Sequence, residues 1–250
     1  MNTLLTLVFA VVSSCPSDLE MTAHNALEKI EAVQVASLSA TVSYFRTDPI
    51  LDRREIRTGR VLFRKNDGGE REAAIIFDTL IIGKRKEKKL KHYIFSGRWM
   101  AEVDHDKKQF IKRELVDPRK EAIDPFELGS GPIPLPIGQS KDSVLKKFSV
   151  ELIDRPLEGA LSKLGENVVG LRLTPRSQND WESIDLFYDS ELWLPVGVQT
   201  IEQDGTKRVS RLTNIQVDML SDEDAKLLNI QTPDPKEWSI DIQVLGSTKP

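Results

Sequence analysis

The residues that could do chemistry are few and far apart. The histidines stand at positions 24, 92 and 105, and Cys15 is the only cysteine. No histidine stands with a serine or cysteine in a recognisable nucleophile motif, and no G-x-S-x-G elbow occurs. His105 lies between Asp104 and Asp106. Three consecutive residues cannot surround an ion, and no second ligand cluster accompanies them, so the run reads as a polar turn rather than a metal site. There is no G-x-G-x-x-G fingerprint and no phosphate-binding loop, so the sequence implies no cofactor. The 39 acidic residues leave one catalytic reading open, a hydrolase working with two distant carboxylates, which requires a geometry that spacing does not supply. One cysteine permits no intrachain disulfide, so the fold rests on packing alone. A net charge of -4 offers nucleic acid no general basic surface.

The elements that must position any site begin after an apolar leader. Leu4–Val12 is too short to span a bilayer and has the length of a signal-peptide core. Ser13, Ser14 and Cys15 follow, loosely resembling a lipoprotein processing site with Cys15 as the acylated residue. Residues 1–20 are therefore expected to be a leader, and residues 21–250 a single domain. Met21–Gln34 carries Ala26, Leu27, Ile30 and Val33 at helical spacing behind a Thr22 cap, with His24 on its surface. The period then changes to two. Leu38–Arg46, Ile56–Arg64, Glu72–Asp78, His92–Phe95, Trp99–Val103 and Gln109–Leu115 read as strands separated by turn residues. Lys84–Lys91 lacks interleaved aromatics and reads as a solvated hairpin connection, with contact to anionic lipid as the alternative.

Gly129–Gly138 (GSGPIPLPIG) divides this half from the next. Its prolines exclude helix interior and central strand, and Ile133, Leu135 and Ile137 suit a rigid segment lying on an apolar body. A short helix over Ser140–Phe148 and a helical or turn segment over Glu158–Leu164 follow. The strand pattern resumes at Ser149–Ile153, Val168–Leu173, Trp181–Tyr188, Leu192–Gln203, Thr206–Val217 and Trp238–Leu245. The pattern predicts one long, curved antiparallel sheet of about ten to twelve strands, partly closed by helices. Such a sheet either encloses an apolar cavity or is packed solid by the same side chains.

The pieces ASLSATVSYFR (Ala36–Arg46), GRVLFRK (Gly59–Lys65) and IFSGRWMAEVDHDKKQF (Ile94–Phe110), with ELGSGPIPLPIG between the sheet halves, carry a family likeness. The chain resembles the periplasmic lipoprotein-carrier (LolA-like and LolB-like) superfamily. The resemblance implies a mainly β fold with helices, in which a curved antiparallel sheet forms an incomplete β-barrel covered by a helical lid. It also implies non-enzymatic binding and transport of lipoprotein or other lipid acyl chains in the envelope of a diderm bacterium. The expected location is the periplasm or outer membrane, and the expected state a monomer. Candidate lining is Val42, Phe63, Phe77, Phe95, Trp99 and Leu135. The carrier's lid is held by an early-strand arginine; Arg46, Arg60 and Arg64 occupy early strands here, with Arg60 preferred. A second reading is a structural or regulatory envelope protein with a filled core and an exposed surface for an envelope protein partner.

Overall fold

The computed structural model describes residues 21–50, 53–66, 68–115, 128, 136–154 and 156–245. Helix α1 (Ala23–Ala32) starts where the Thr22 side chain accepts from the Asn25 amide. Six strands follow: β1 (Ser37–Asp48), β2 (Arg53–Lys65), β3 (Arg71–Ile82), β4 (Arg85–Ser96), β5 (Trp99–Asp104) and β6 (Gln109–Glu114). Helix α2 (Lys141–Lys147) leads into β7 (Phe148–Leu152), a 3-10 turn at Gly159–Lys163, then β8 (Val168–Pro175), β9 (Trp181–Asp189), β10 (Pro195–Glu202) and β11 (Lys207–Val217). A short helix α3 (Asp222–Lys226) precedes the last strand, β12 (Ser239–Gln243).

These strands form one 12-stranded sheet in the order β12-β6-β5-β4-β3-β2-β1-β11-β10-β9-β8-β7. Two meanders, β1 to β6 and β7 to β11, are welded by antiparallel pairing of β1 with β11, from Leu38 opposite Val217 to Thr47 opposite Lys207. The ladder is antiparallel throughout except at its end, where β12 runs parallel to β6.

Side chains alternate across a strand, so the register sorts the core by face. Leu38, Ala40, Val42, Val61, Phe63, Ala73, Ile75, Phe77 and Phe95 lie on one face. On that face α1 and α2 pack over β7 to β9, burying Ala26, Leu27, Ile30 and Val144 against Leu171, Leu173, Ile184, Leu186 and Tyr188. The other face carries Leu62, Ala74, Ile76, Ile94, Ala101 and Phe110, covered by Leu228 and neighbours from the segment after β11. Its far half carries Phe187 and Val209 beneath Leu161 of the 3-10 turn.

This arrangement corrects the expected architecture. The sheet is open, with β12 and β7 as its edges, and is neither closed into a barrel nor strongly curled. Among the described residues no helical lid spans a cavity: α1 and α2 are part of the principal core, with Leu27 and Ile30 essentially inaccessible. The physical reason is burial on both faces. Ala73–Phe77 and Ser183–Tyr188 are buried at every position, the pattern of strands sandwiched between layers. The basic run also differs from its expected form, since Arg85–Lys91 is strand and only Gly83 and Lys84 make the turn.

Gly59 stands where a side chain has no room. A Cβ there would sit 1.9 Å from the Ile76 carbonyl oxygen, beside the irregularity where β2 shifts register on β3. Backbone cannot yield as a side-chain tip does. Gly59→Ala is expected to lower stability by about 3 kcal/mol or more, read as a fall in the urea midpoint.

Candidate functional site

The connection from β6 to β7 carries the chain from near one edge of the sheet to the other. Leu128 and Pro136–Gln139 are its described contacts with the body before α2. The buried Gln139 side chain accepts from the Leu128 amide at 3.2 Å. The Tyr188 hydroxyl, on β9, donates to the Pro136 carbonyl at 3.0 Å in a fully buried setting. Burial also pushes the Tyr188 phenol well above its ordinary pKa, so it remains a donor. Arg71, on β3, donates to the Ile137 carbonyl at 3.1 Å. The Ile137 side chain packs with Val35, Leu38, Phe63, Phe95 and Met100. One short stretch is thus gripped from both meanders, and Gly138 releases it through a left-handed φ of +57°.

The residues expected to line an acyl cavity fall into three places. Phe63 and Phe95 meet in the cluster around Ile137, with 1% and 2% of their surface exposed. Val42 and Phe77 lie on the same face in the adjoining cluster, where Tyr44 and Tyr93 stand 5.8 and 6.2 Å from the Phe77 ring. Trp99 is not brought to them. It pairs with Ser96, one residue past Phe95, and so points from the opposite face. There the Lys112 ammonium and the Arg98 guanidinium lie 4.4 and 5.6 Å from its ring centre. Leu135 and Cys15 lie outside the described residues. A pocket of about 130 Å³ opens beside Phe63 and Ile137, lined also by Val33, Val35, Lys65 and Arg71. That is below the roughly 300–1,000 Å³ of typical small-molecule sites, and two of its walls are cationic.

Arg60 does bind a helix, but on the face opposite Phe63. Its guanidinium meets the Asp224 carboxylate of α3 at 2.6 Å, with half of the arginine side chain exposed. A pair so exposed contributes little to stability.

The buried carboxylates among the described residues are Glu72, Glu114 and Asp185. Each faces an arginine: Arg64, Arg98 and Arg172 respectively. Asp185 is held bidentately by Arg172 at 2.7 Å and also accepts from the Gln199 amide at 3.0 Å. Glu72 accepts from Ser96 as well as from Arg64. Glu72, Ser96, Trp99 and Glu114 form one cross-strand row, so the two glutamates are three ladder steps apart. At strand spacing that is about 14 Å, wider than the two carboxyl groups of a glycosidase require. Among the described residues no group of three or more His, Cys, Asp or Glu could hold a metal ion.

Sequence reasoning passed over one cluster. The His92 and His105 rings lie 4.7 Å apart, and Trp238 meets His105 edge-on at 5.4 Å. The alternation that puts Ile94 inside also puts His92 inside, which was the available signal. Burial, then the neighbouring His105 and Arg60, lower the His92 pKa from 6.5 to about 4.

These observations define a class: a β-sheet protein whose candidate interaction features are surfaces and a pinned crossover. No family model matches the chain, and no curated protein matches it. Solved structures similar to it include an uncharacterized conserved protein from Thermus thermophilus, at 11% identity and TM-score 0.47, covering 88% of this chain and 99% of that one. Pseudomonas aeruginosa MucB in its complex with MucA is similar at 16% identity and TM-score 0.43, covering 84% of this chain and 61% of that one. A LolA superfamily protein from Nitrosomonas europaea is similar at 13% identity and TM-score 0.34, covering 81% and 96%. Each of these likenesses is distant, at 16% identity or less.

Two outcomes follow from this geometry. Tyr188→Phe strands the Pro136 carbonyl without its donor and is expected to cost about 1–2 kcal/mol, measured by chemical denaturation. His92 is neutral in the fold and protonates more readily in the unfolded chain. Its contribution is therefore complete above pH 6.5 and is lost as pH falls from 6.5 toward about 4. The urea midpoint is expected to drop between pH 7.5 and 5, and His92→Gln is expected to reduce that drop.

Proposed function

We propose that this chain is a non-enzymatic cell-envelope protein that works by binding a protein partner, in a regulatory or structural role, rather than by carrying acyl chains. The observation that carries the reading is the packing of Val42, Phe63, Phe77 and Phe95. Each has 6% or less of its surface exposed, and the pocket beside Phe63 is small and partly cationic. An acyl carrier draws its affinity from apolar surface that is open to its cargo. Here that surface is already covered by the protein itself.

The outer edge of β12 supports the second half of the reading. Ile242, Val244 and Leu245 are 51%, 45% and 43% exposed, a concentration of bare apolar side chains on and just beyond an edge strand. Such an edge offers main-chain donors and acceptors as well as side-chain grip to an extended partner segment. Export through the Leu4–Val12 leader would place the protein where an envelope partner can reach that edge.

A photoreactive residue placed at Ile242 tests the proposal in the native envelope. With the photoreactive residue carried at Leu245 as well as at Ile242, a discrete protein adduct from each position, the Leu245 adduct being lost with Ile242→Lys, is the expected result. Stoichiometric copurification of acylated cargo, with saturable binding of a fluorescent fatty acyl probe, would overturn the reading.

A further inference from the structure

The register brings together cations that are remote in sequence. β1 pairs with β2 on one side and β11 on the other, and β2 pairs with β3, which pairs with β4. Arg54 and Lys207 therefore flank Thr47, and Arg46 stands directly opposite Arg208. Arg85 and Ile82 continue that second row through Glu55. Three hairpin ends, β1–β2, β3–β4 and β10–β11, thus share one end of the sheet.

The described acids at these ends are largely committed. Glu55, Glu87 and Glu202 pair with Arg57, Arg85 and Arg208. Asp48 accepts the Ile50 amide within its turn, and Asp204 accepts the Thr206 amide. Arg46, Arg53, Arg54, Lys84, Lys86, Lys88 and Lys207 are all exposed and have no ion-pair partner among the described residues. Like charges set opposite each other, as at Arg46 and Arg208, oppose folding, so the arrangement is not one that stability alone would select. It is also local, because the whole chain carries a net charge of -4. Ile50, 81% exposed, tips the β1–β2 turn amid these cations.

We infer that this end of the sheet docks on an anionic phospholipid surface. Each basic side chain near such a surface contributes an electrostatic increment that screening by salt removes. The bare isoleucine favours a bilayer over a soluble polyanion, because the headgroup boundary accepts an apolar tip and its cationic rim together.

Cosedimentation of the 250-residue chain with vesicles of phosphatidylcholine alone, or with 30% phosphatidylglycerol, tests the inference. The readout is the ratio of the two partition coefficients, which cancels any apolar contribution from Leu4–Val12. A preference for anionic vesicles that fades between about 50 and 300 mM salt is expected. Lys84→Glu/Lys86→Glu/Lys88→Glu is expected to cut that ratio by about 100-fold, and Arg53→Gln/Arg54→Gln by about 10-fold or more. The control Lys163→Glu/Lys226→Glu/Lys236→Glu changes net charge as much as the first variant and is expected to cut it less than tenfold. Equal effects of tip and control variants, or no preference for anionic vesicles, would overturn the inference, and so would binding to polyglutamate without vesicle preference.

Discussion

The structure depends on a single crossover held from two sides. The chain leaves the first meander near one edge of the sheet and must enter the second at the opposite edge. It does so beneath a buried tyrosine hydroxyl and beside an arginine, each taking one carbonyl of adjacent residues, Pro136 and Ile137. Proline suits this place because the backbone there needs acceptors and no donor. The carbonyls that would be orphaned in an apolar setting are satisfied by side chains from opposite halves, so the halves are registered on the same few atoms.

Burial on both faces follows from the same plan. Leu128 and Ile137 of the crossover, with α1 and α2, occupy one face, while the segments after β7 and β11 occupy the other. Among the described residues, the apolar side chains of both faces are packed against the protein's own elements. The proposed interaction surfaces accordingly lie at β12 and at the hairpin tips rather than at the centre.

Much of this was legible in the sequence. The period-two runs at Leu38–Arg46 and Trp181–Tyr188, the Thr22 cap and the turn at Asn66 correspond to observed elements. Of the proline segment, Ile137 packs on an apolar cluster as its type suggested, while residues 129–135 lie outside the described residues. The closure of the sheet was misread because alternation describes a strand and not what lies over it. The unbroken apolar run Ala73–Phe77 was the overlooked sign of two covered faces. Trp99 was assigned to the wrong face because a turn separates it from Phe95, and the register across that turn fixes its direction. The contact of His105 with Trp238 joins positions far apart in the chain, and no local pattern reports it.

The weld between β1 and β11 also sets an order of events. Leu38 waits for Val217, so the central ladder cannot close until nearly all of the chain is present. Contacts of such long sequence separation form slowly. Until then β1 has an open edge in the middle of the future sheet. A chain threaded through a membrane from its N-terminus could pair each meander locally as it emerged, and would join the two halves only after β11 had arrived.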